Sequence, residues 1–271
     1  MSFFTSLSGL KNAQTELGTI AHNIANVETT GFKKSNASFA DLVSNGSSGS
    51  PKQTRGIGAV ISEIKQDFGL GAIEQTGNST DLSINGEGFF VTRGGAAGGQ
   101  MYTRDGAFVI DENGFLQDGF DNRLQMFEVD ATGTPTSPGT TVDVLVAPTN
   151  AAGSELSGIT IKNDGLITAA YVDGSNVALG RVALASFTSP TGLRQVGSSS
   201  WESTSFSGPP NLNLPGVGTY GDLLAGTLER SNVDLAEEMV GLISAQRNFQ
   251  ANAKAIDTAT QITQTIINLR T

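Results

Sequence analysis

Residues 3–27, FFTSLSGLKNAQTELGTIAHNIANV, decide how the rest of the chain is read. The stretch holds no proline, and apolar residues return every seven positions at Phe3, Leu10, Leu17 and Ile24. A companion row stands three residues further on at Ala13, Ile20 and Val27, with Leu7 widening the stripe. Seven-residue recurrence with a second row offset by three places these side chains on one side of an α-helix. At 1.5 Å per residue, roughly 25 residues span about 37 Å. A helix with one apolar stripe needs a surface to bury it against.

The far end of the chain repeats the pattern. Ser231 precedes Asp234 by three residues, which reads as a capping-box-like start. Asp234, Glu237 and Glu238 fall in the first turns, where the helix dipole is positive. Leu235, Met239, Leu242, Phe249, Ala253 and Ile256 follow at spacings of three, four or seven, and the stripe drifts on to Ile262, Ile266 and Leu269. Arg270 lies at the end that favours a cation. About 36 residues make a helix near 54 Å long. Only Gly241 interrupts it, at a cost of about 1 kcal/mol relative to Ala.

Between these ends the period changes from helical to two. Val60, Ser62, Ile64, Gln66 and Phe68 alternate with Ile61, Glu63, Lys65 and Asp67, as in a half-buried strand. Further strands are expected at 82–84, 89–92, 107–110, 142–146, 159–161 and 181–187. Asn85-Gly86, Asp105-Gly106, Asn113-Gly114, Asp118-Gly119, Asp164-Gly165 and Asp173-Gly174 supply turns between them. The predicted fold is α+β. N- and C-terminal helices (1–30 with 231–271) pair as a coiled-coil-like inner domain, and a mainly antiparallel β-rich outer domain (59–130 with 159–230) lies between them. Residues 31–58, including SNGSSGS at 44–50, read as a linker, and 131–158 as a short surface excursion rich in Thr, Pro, Gly and Ala.

Composition narrows the function. The net charge is −10 over 271 residues, which argues against nucleic acid as the main partner, because phosphate binding needs a basic face. The chain has no cysteine, so disulfides, thiolate metal sites and a cysteine nucleophile are excluded. No apolar run reaches 18 residues, so no membrane insertion is expected. The opening MSFFTSLSGLKNAQ lacks the basic and unbroken apolar regions of a secretory signal, so any export is expected to use another route. Each terminal segment carries a net charge of only −1, which leaves −8 in the middle. Away from their stripes the helices show Asn, Gln, Thr, Ser and Ala where a solvated surface normally uses Lys and Glu. Such faces pack against neighbouring molecules, or the two helices pair only with each other inside a monomer.

The residues from Asn23 to Lys33 (NIANVETTGFK) resemble the signature of the flagellar rod and hook axial proteins. The resemblance continues through Asp81–Phe90 (DLSINGEGFF), Tyr102–Phe108 (YTRDGAF) and Asp111–Leu116 (DENGFL). It returns at Leu228–Leu235 (LERSNVDL) and Ala245–Gln250 (AQRNFQ), so it spans nearly the whole chain in order. It implies a structural subunit that is not an enzyme and carries no cofactor. The terminal helices would line a hollow helical tube of identical copies that conducts exported subunits and transmits torque. The implied partners are copies of itself, adjacent flagellar rod, hook or junction proteins, and the flagellar type III export apparatus. The expected assembly residues are Phe3, Leu7, Leu10, Leu17, Ile20, Ile24, Asn26, Phe32, Leu235, Met239, Leu242, Phe249, Ile256 and Ile266. The end segments look more like the hook protein. The lack of a large insertion after Leu124-Gln125 is instead similar to a distal rod subunit, so the hook is the first reading and the distal rod the second.

Chemical alternatives find little support. His22 is the only histidine, and a Ser-His-Asp site would have to use it. Asp105, Asp111, Asp118, Asp121, Asp164 and Asp173 mostly adjoin Gly or Asn in turns, which explains them better than paired-carboxylate glycoside hydrolysis. Asp111–Gly114 lacks the spaced ligands of a calcium loop, and Gly94–Gly99 lacks the Gly-Lys-Ser/Thr of a phosphate loop. Phe89, Phe90 and Phe115 read as sheet core. Trp201 is either core or a subunit contact.

Overall fold

The computed structural model describes residues 2–44, 55–94, 98–130, 133–136 and 139–269. A helix stands at each end, and the strands between pair antiparallel, which makes the fold α+β as expected. The chain forms two compact units that are interleaved in sequence. One comprises residues 1–27, 34–67 and 233–271, and the other 28–33 with 68–232.

The first unit holds α1 (Ser2–Ala25) and α2 (Leu235–Leu269), with the strands β1 (Ser35–Ser44) and β2 (Arg55–Gln66). The helices run antiparallel: Gly9 lies against Asn252, and Ile20 against Gly241. A Cβ on Gly9 would come within 2.6 Å of the Asn252 side-chain oxygen, so a larger residue there would have to displace the Asn252 carboxamide. The same register brings the start of α1 level with residue 259, and residues 260–269 of α2 run past it, all exposed. The cap of α2 is Asp234, whose Oδ1 accepts from the backbone N–H groups of Ala236 (2.8 Å) and Glu237 (3.1 Å). Ser231 is therefore not the helix start, which lies three residues further on. Arg270 is outside the described residues.

β1 and β2 pair from Ser35↔Gln66 to Ser44↔Arg55, with irregularities at Ser38/Phe39 and Leu42/Val43. The expected linker 31–58 thus contains all of β1 and the first residues of β2, and β2 lies with the helices instead of in the 59–130 sheet. The period-two pattern of β2 needs a ladder partner. It finds the nearest in sequence, whose own alternation is broken by the two irregularities. Most of the glycine–serine segment 44–50 lies outside the described residues.

The second unit is built on a large sheet. Its strands follow one another in space as 156–161, 166–171, 176–182, 122–128, 89–94, 100–103, 200–202 and 194–197. The turns at Asp164-Gly165 and Asp173-Gly174 form where the dipeptides predict them. Side chains alternate across a strand, and the adjacent Phe89 and Phe90 feed two different cores. Phe90 packs with Leu82, Ile84, Phe108, Leu124 and Ile167. Phe89 packs with Val91, Tyr102, Phe187 and Trp201. Trp201 is fully buried, edge-on to Phe68 and Phe89, which settles it as core. The expected excursion at 131–158 is only partly superficial. Val142 and Asp143 pair with Met126 and Gln125, and Val144 and Val146 are buried in the core.

Candidate assembly interface

Two kinds of apolar residue line the terminal helices. The seam between α1 and α2 buries Ala13, Ile20 and Ala245. Leu7, Leu10, Leu17 and Ile24 on α1, with Leu242, Phe249 and Ile256 on α2, are half-buried. Among the positions of α2 that are not exposed, Glu238, Ala245 and Asn252 recur every seven residues, as do Leu242, Phe249 and Ile256, so the repeat has two polar members. Other apolar side chains lie off this seam. Phe3 is 41% exposed, Leu235 45%, Met239 42% and Ile266 61%. Leu235, Met239 and Ile243 are spaced by four and form a second apolar stripe on α2, and Ile262, Ile266, Ile267 and Leu269 crowd the part that overruns α1. The expected interface residues therefore split into a seam satisfied within the chain and a set left uncovered.

Two of the expected residues serve locally. Asn26 caps the end of α1, its Nδ2 donating to the His22 carbonyl at 2.8 Å. His22 is an exposed residue of that last turn. Phe32 is buried at 3% exposure in the β-rich unit and has no free face to offer a second copy.

Asn23, which the seam pattern does not single out, makes a reciprocal pair of hydrogen bonds in the helical unit. Its Nδ2 donates to the Ser35 carbonyl and its Oδ1 accepts from the Ser35 N–H, both at 2.9 Å, with both residues buried. The carboxamide acts as a peptide group would in a sheet ladder, and it ties the last turns of α1 to the first residue of β1.

The β-rich unit contains a buried ion cluster that sequence reasoning missed. Glu229 accepts from Lys33 and from the Gly71 N–H through one oxygen, and from Arg104 (3.2 Å) through the other. Both Lys33 and Glu229 are wholly shielded from solvent. Lys33 also donates to the Gly69 carbonyl (2.7 Å), and Arg104 to the Gly86 carbonyl (2.8 Å). Burial pulls the Arg104 guanidinium below its ordinary value, and the charge of Glu229 offsets part of that. Gly31 stands beside it at φ +65°, tight against the backbone of Arg104 and Asp105. The three charged residues come from three separate stretches of the family resemblance. That was the only signal available, because nothing in spacing brings residues 33, 104 and 229 together.

The turn aspartates behave as turn residues. Oδ1 of Asp111, Asp118, Asp164 and Asp173 each accepts the N–H two residues ahead, at 2.8–3.1 Å. Asp173 is held down at about 2 by hydrogen bonds from the Ser175 side chain and backbone and from Asn150. Asp105 differs. Burial, helped by the charges of Asp118 and Asp81, pushes its carboxyl up to about 6, although it accepts from the Ala107 N–H at 3.1 Å.

Three stretches match described families. Residues 4–33 match "Flagella basal body rod protein", residues 83–169 the "Flagellar hook protein FlgE/F/G D1 domain", and residues 224–269 "Flagellar basal body rod FlgEFG protein C-terminal". The flagellar basal-body rod protein FlgG of Bacillus subtilis is 35% identical over 280 residues, covering 99% of this chain and 98% of that protein. The FlgG of Borreliella burgdorferi is 33% identical with the same coverage. The flagellar hook protein FlgE of Salmonella typhimurium is 26% identical, in an alignment of 415 positions that covers both chains completely.

Proposed function

Because this chain belongs to the family of flagellar hook and basal-body rod proteins, we propose that it is a rod subunit of the basal body, placed distally, which polymerises through its terminal helices. The observation that carries this reading is the end-to-end match in length to relatives named as rod proteins. The hook relative needs 415 positions to align with 271 residues, so it holds segments that this chain lacks. The hook preference drawn from the end segments gives way on that ground to the distal rod.

The uncovered stripe on α2 and its apolar overrun support self-association. Contiguous apolar surface on a soluble chain marks an interaction site, and most helical stability comes from a packed face. In this reading copies stack into a hollow helical tube joined to neighbouring rod, hook or junction proteins. The tube passes exported subunits and carries torque, and its own subunits leave through the flagellar type III apparatus. The role is structural, with stability supplied by packing and no reaction to perform. Immunogold labelling of purified hook-basal bodies tests it: label on the segment between the two membranes is expected. Label on the curved segment outside the outer membrane would return the protein to the hook.

A further inference from the structure

The helical unit carries an open polar cleft of about 190 Å³ among α1, the first turns of α2 and the start of β1. Its wall carries Glu16, Glu237 and Glu238, with Thr19, Asn23 and Asn36 beside them. Lys34 reaches Glu237 at 3.4 Å and offsets one of the three charges. Glu238 is only 7% exposed, and among the described residues its carboxylate meets neither a donor nor a cation. Its oxygens still reach the solvent of the cleft, and a carboxylate shielded on most sides gains more from an opposite charge than a fully hydrated one does, so this one is poised for a cation that another molecule brings. Among the described residues no three acidic or histidine side chains stand close enough together to hold a metal ion. An organic cation needs no such ligand set.

α2 carries one on its far side. Arg247 lies nine residues after Glu238, which at 3.6 residues per turn is two and a half turns, so it faces away from the cleft. It is exposed, and among the arginines whose side chains are described it is the only one without an ion-pair partner. Lys254, seven residues on, continues the same basic face.

We propose that Arg247 of one copy inserts into the Glu16–Glu237–Glu238 cleft of the next. The proposal rests on the self-assembly reading and gives it a specific contact. A guanidinium suits the site, since its planar fork can serve Glu238 and a second carboxylate together. The acidic cleft and the cation lie on opposite faces of one helix, so the contact is head-to-tail. A head-to-tail contact repeats from copy to copy, and gives an open helical polymer where the rotation between copies does not close a ring.

Charge reversal tests this. Arg247→Glu and Glu238→Arg, each alone, are expected to raise the concentration needed for polymerisation roughly ten- to a hundredfold, the range of a lost charge-assisted hydrogen bond. An equimolar mixture of the two variants is expected to recover assembly, because in an alternating series each altered face meets one of opposite charge. Circular dichroism checks that both variants fold, and Glu238→Gln, which removes the charge without adding bulk, must show the same rise. The chain has no cysteine, so Thr19→Cys with Arg247→Cys and a short bismaleimide should give multimer ladders from polymer and none from dilute monomer. Variants that polymerise like the parent chain, or a polymer that yields no ladder, would overturn the contact while leaving self-assembly intact. A monomer whose melting temperature rises with calcium or magnesium, and no longer does so in Glu238→Gln, would assign the cleft to a metal ion instead. A parent chain that forms no polymer at all removes the self-assembly reading and this contact with it.

Discussion

Glu229 is wholly buried between two cations, and its free energy depends on both. Replacing a buried ion cluster wholesale by apolar groups is often harmless, but removing one member leaves the others uncompensated. Glu229→Gln strands Lys33 and Arg104 and is expected to cost about 3–5 kcal/mol. Urea unfolding followed by the fluorescence of Trp201, the only tryptophan and a buried one, reads the β-rich unit directly. Asp105 works in the opposite sense. Its folded value of about 6 lies above its ordinary 3.8, so the folded unit holds the proton more tightly than the unfolded chain does. The contribution of Asp105 to stability is therefore fully present at or below about pH 4, declines as pH rises to about 6, and is lost beyond. Asp105→Asn keeps the oxygen that accepts from Ala107 and removes the charge. It is expected to add about 1–2 kcal/mol at pH 8 and nothing at pH 4, and melting curves at the two pH values check it.

At the scale of elements, α1 is held by two devices, the seam with α2 and the clamp on β1. Asn23→Ala leaves the Ser35 N–H and carbonyl buried without those partners. At about 1–3 kcal/mol for each stranded group, hydrogen exchange in α1 and β1 is expected to speed up while that of the β-rich unit stays as it was. The split of apolar residues into seam and uncovered stripe has its own signature. Leu17→Asp buries a charge at the helix pair and should loosen the monomer itself, lowering helicity by circular dichroism. Met239→Asp lies off the seam and should leave the monomer's helicity intact while impairing polymerisation, read by light scattering. Equal behaviour of the two variants would deny the distinction. The sequence pattern showed both rows without separating them. Leu235 and Met239 obey the three-four spacing as well as Leu242 does, and only the register against α1 selects Glu238, Ala245 and Asn252 in their place.

For the whole molecule, the division into units refines what a truncation should remove. Residues 28–33 belong to the β-rich unit through the Gly31 N–H on the Glu229 carbonyl (2.8 Å) and through Lys33. A fragment of 28–232 is therefore expected to keep the Trp201 environment and to unfold cooperatively, while failing to polymerise. A fragment beginning at 34 should be destabilised, because it loses Lys33 from the buried cluster. Sequence alone determined the two terminal helices, the antiparallel character of the middle and the family, because periodicity, turn dipeptides and ordered signatures are local properties written within a few residues of one another. Tertiary structure alone decided that β2 pairs with β1 and packs on α1, that Val144 and Val146 enter the core from a stretch that reads as surface, and that residues 33, 104 and 229 share one charge cluster. These depend on contacts between segments far apart in the chain. Pairing and burial are settled there by which surfaces exclude water together, and spacing along the sequence carries no record of that.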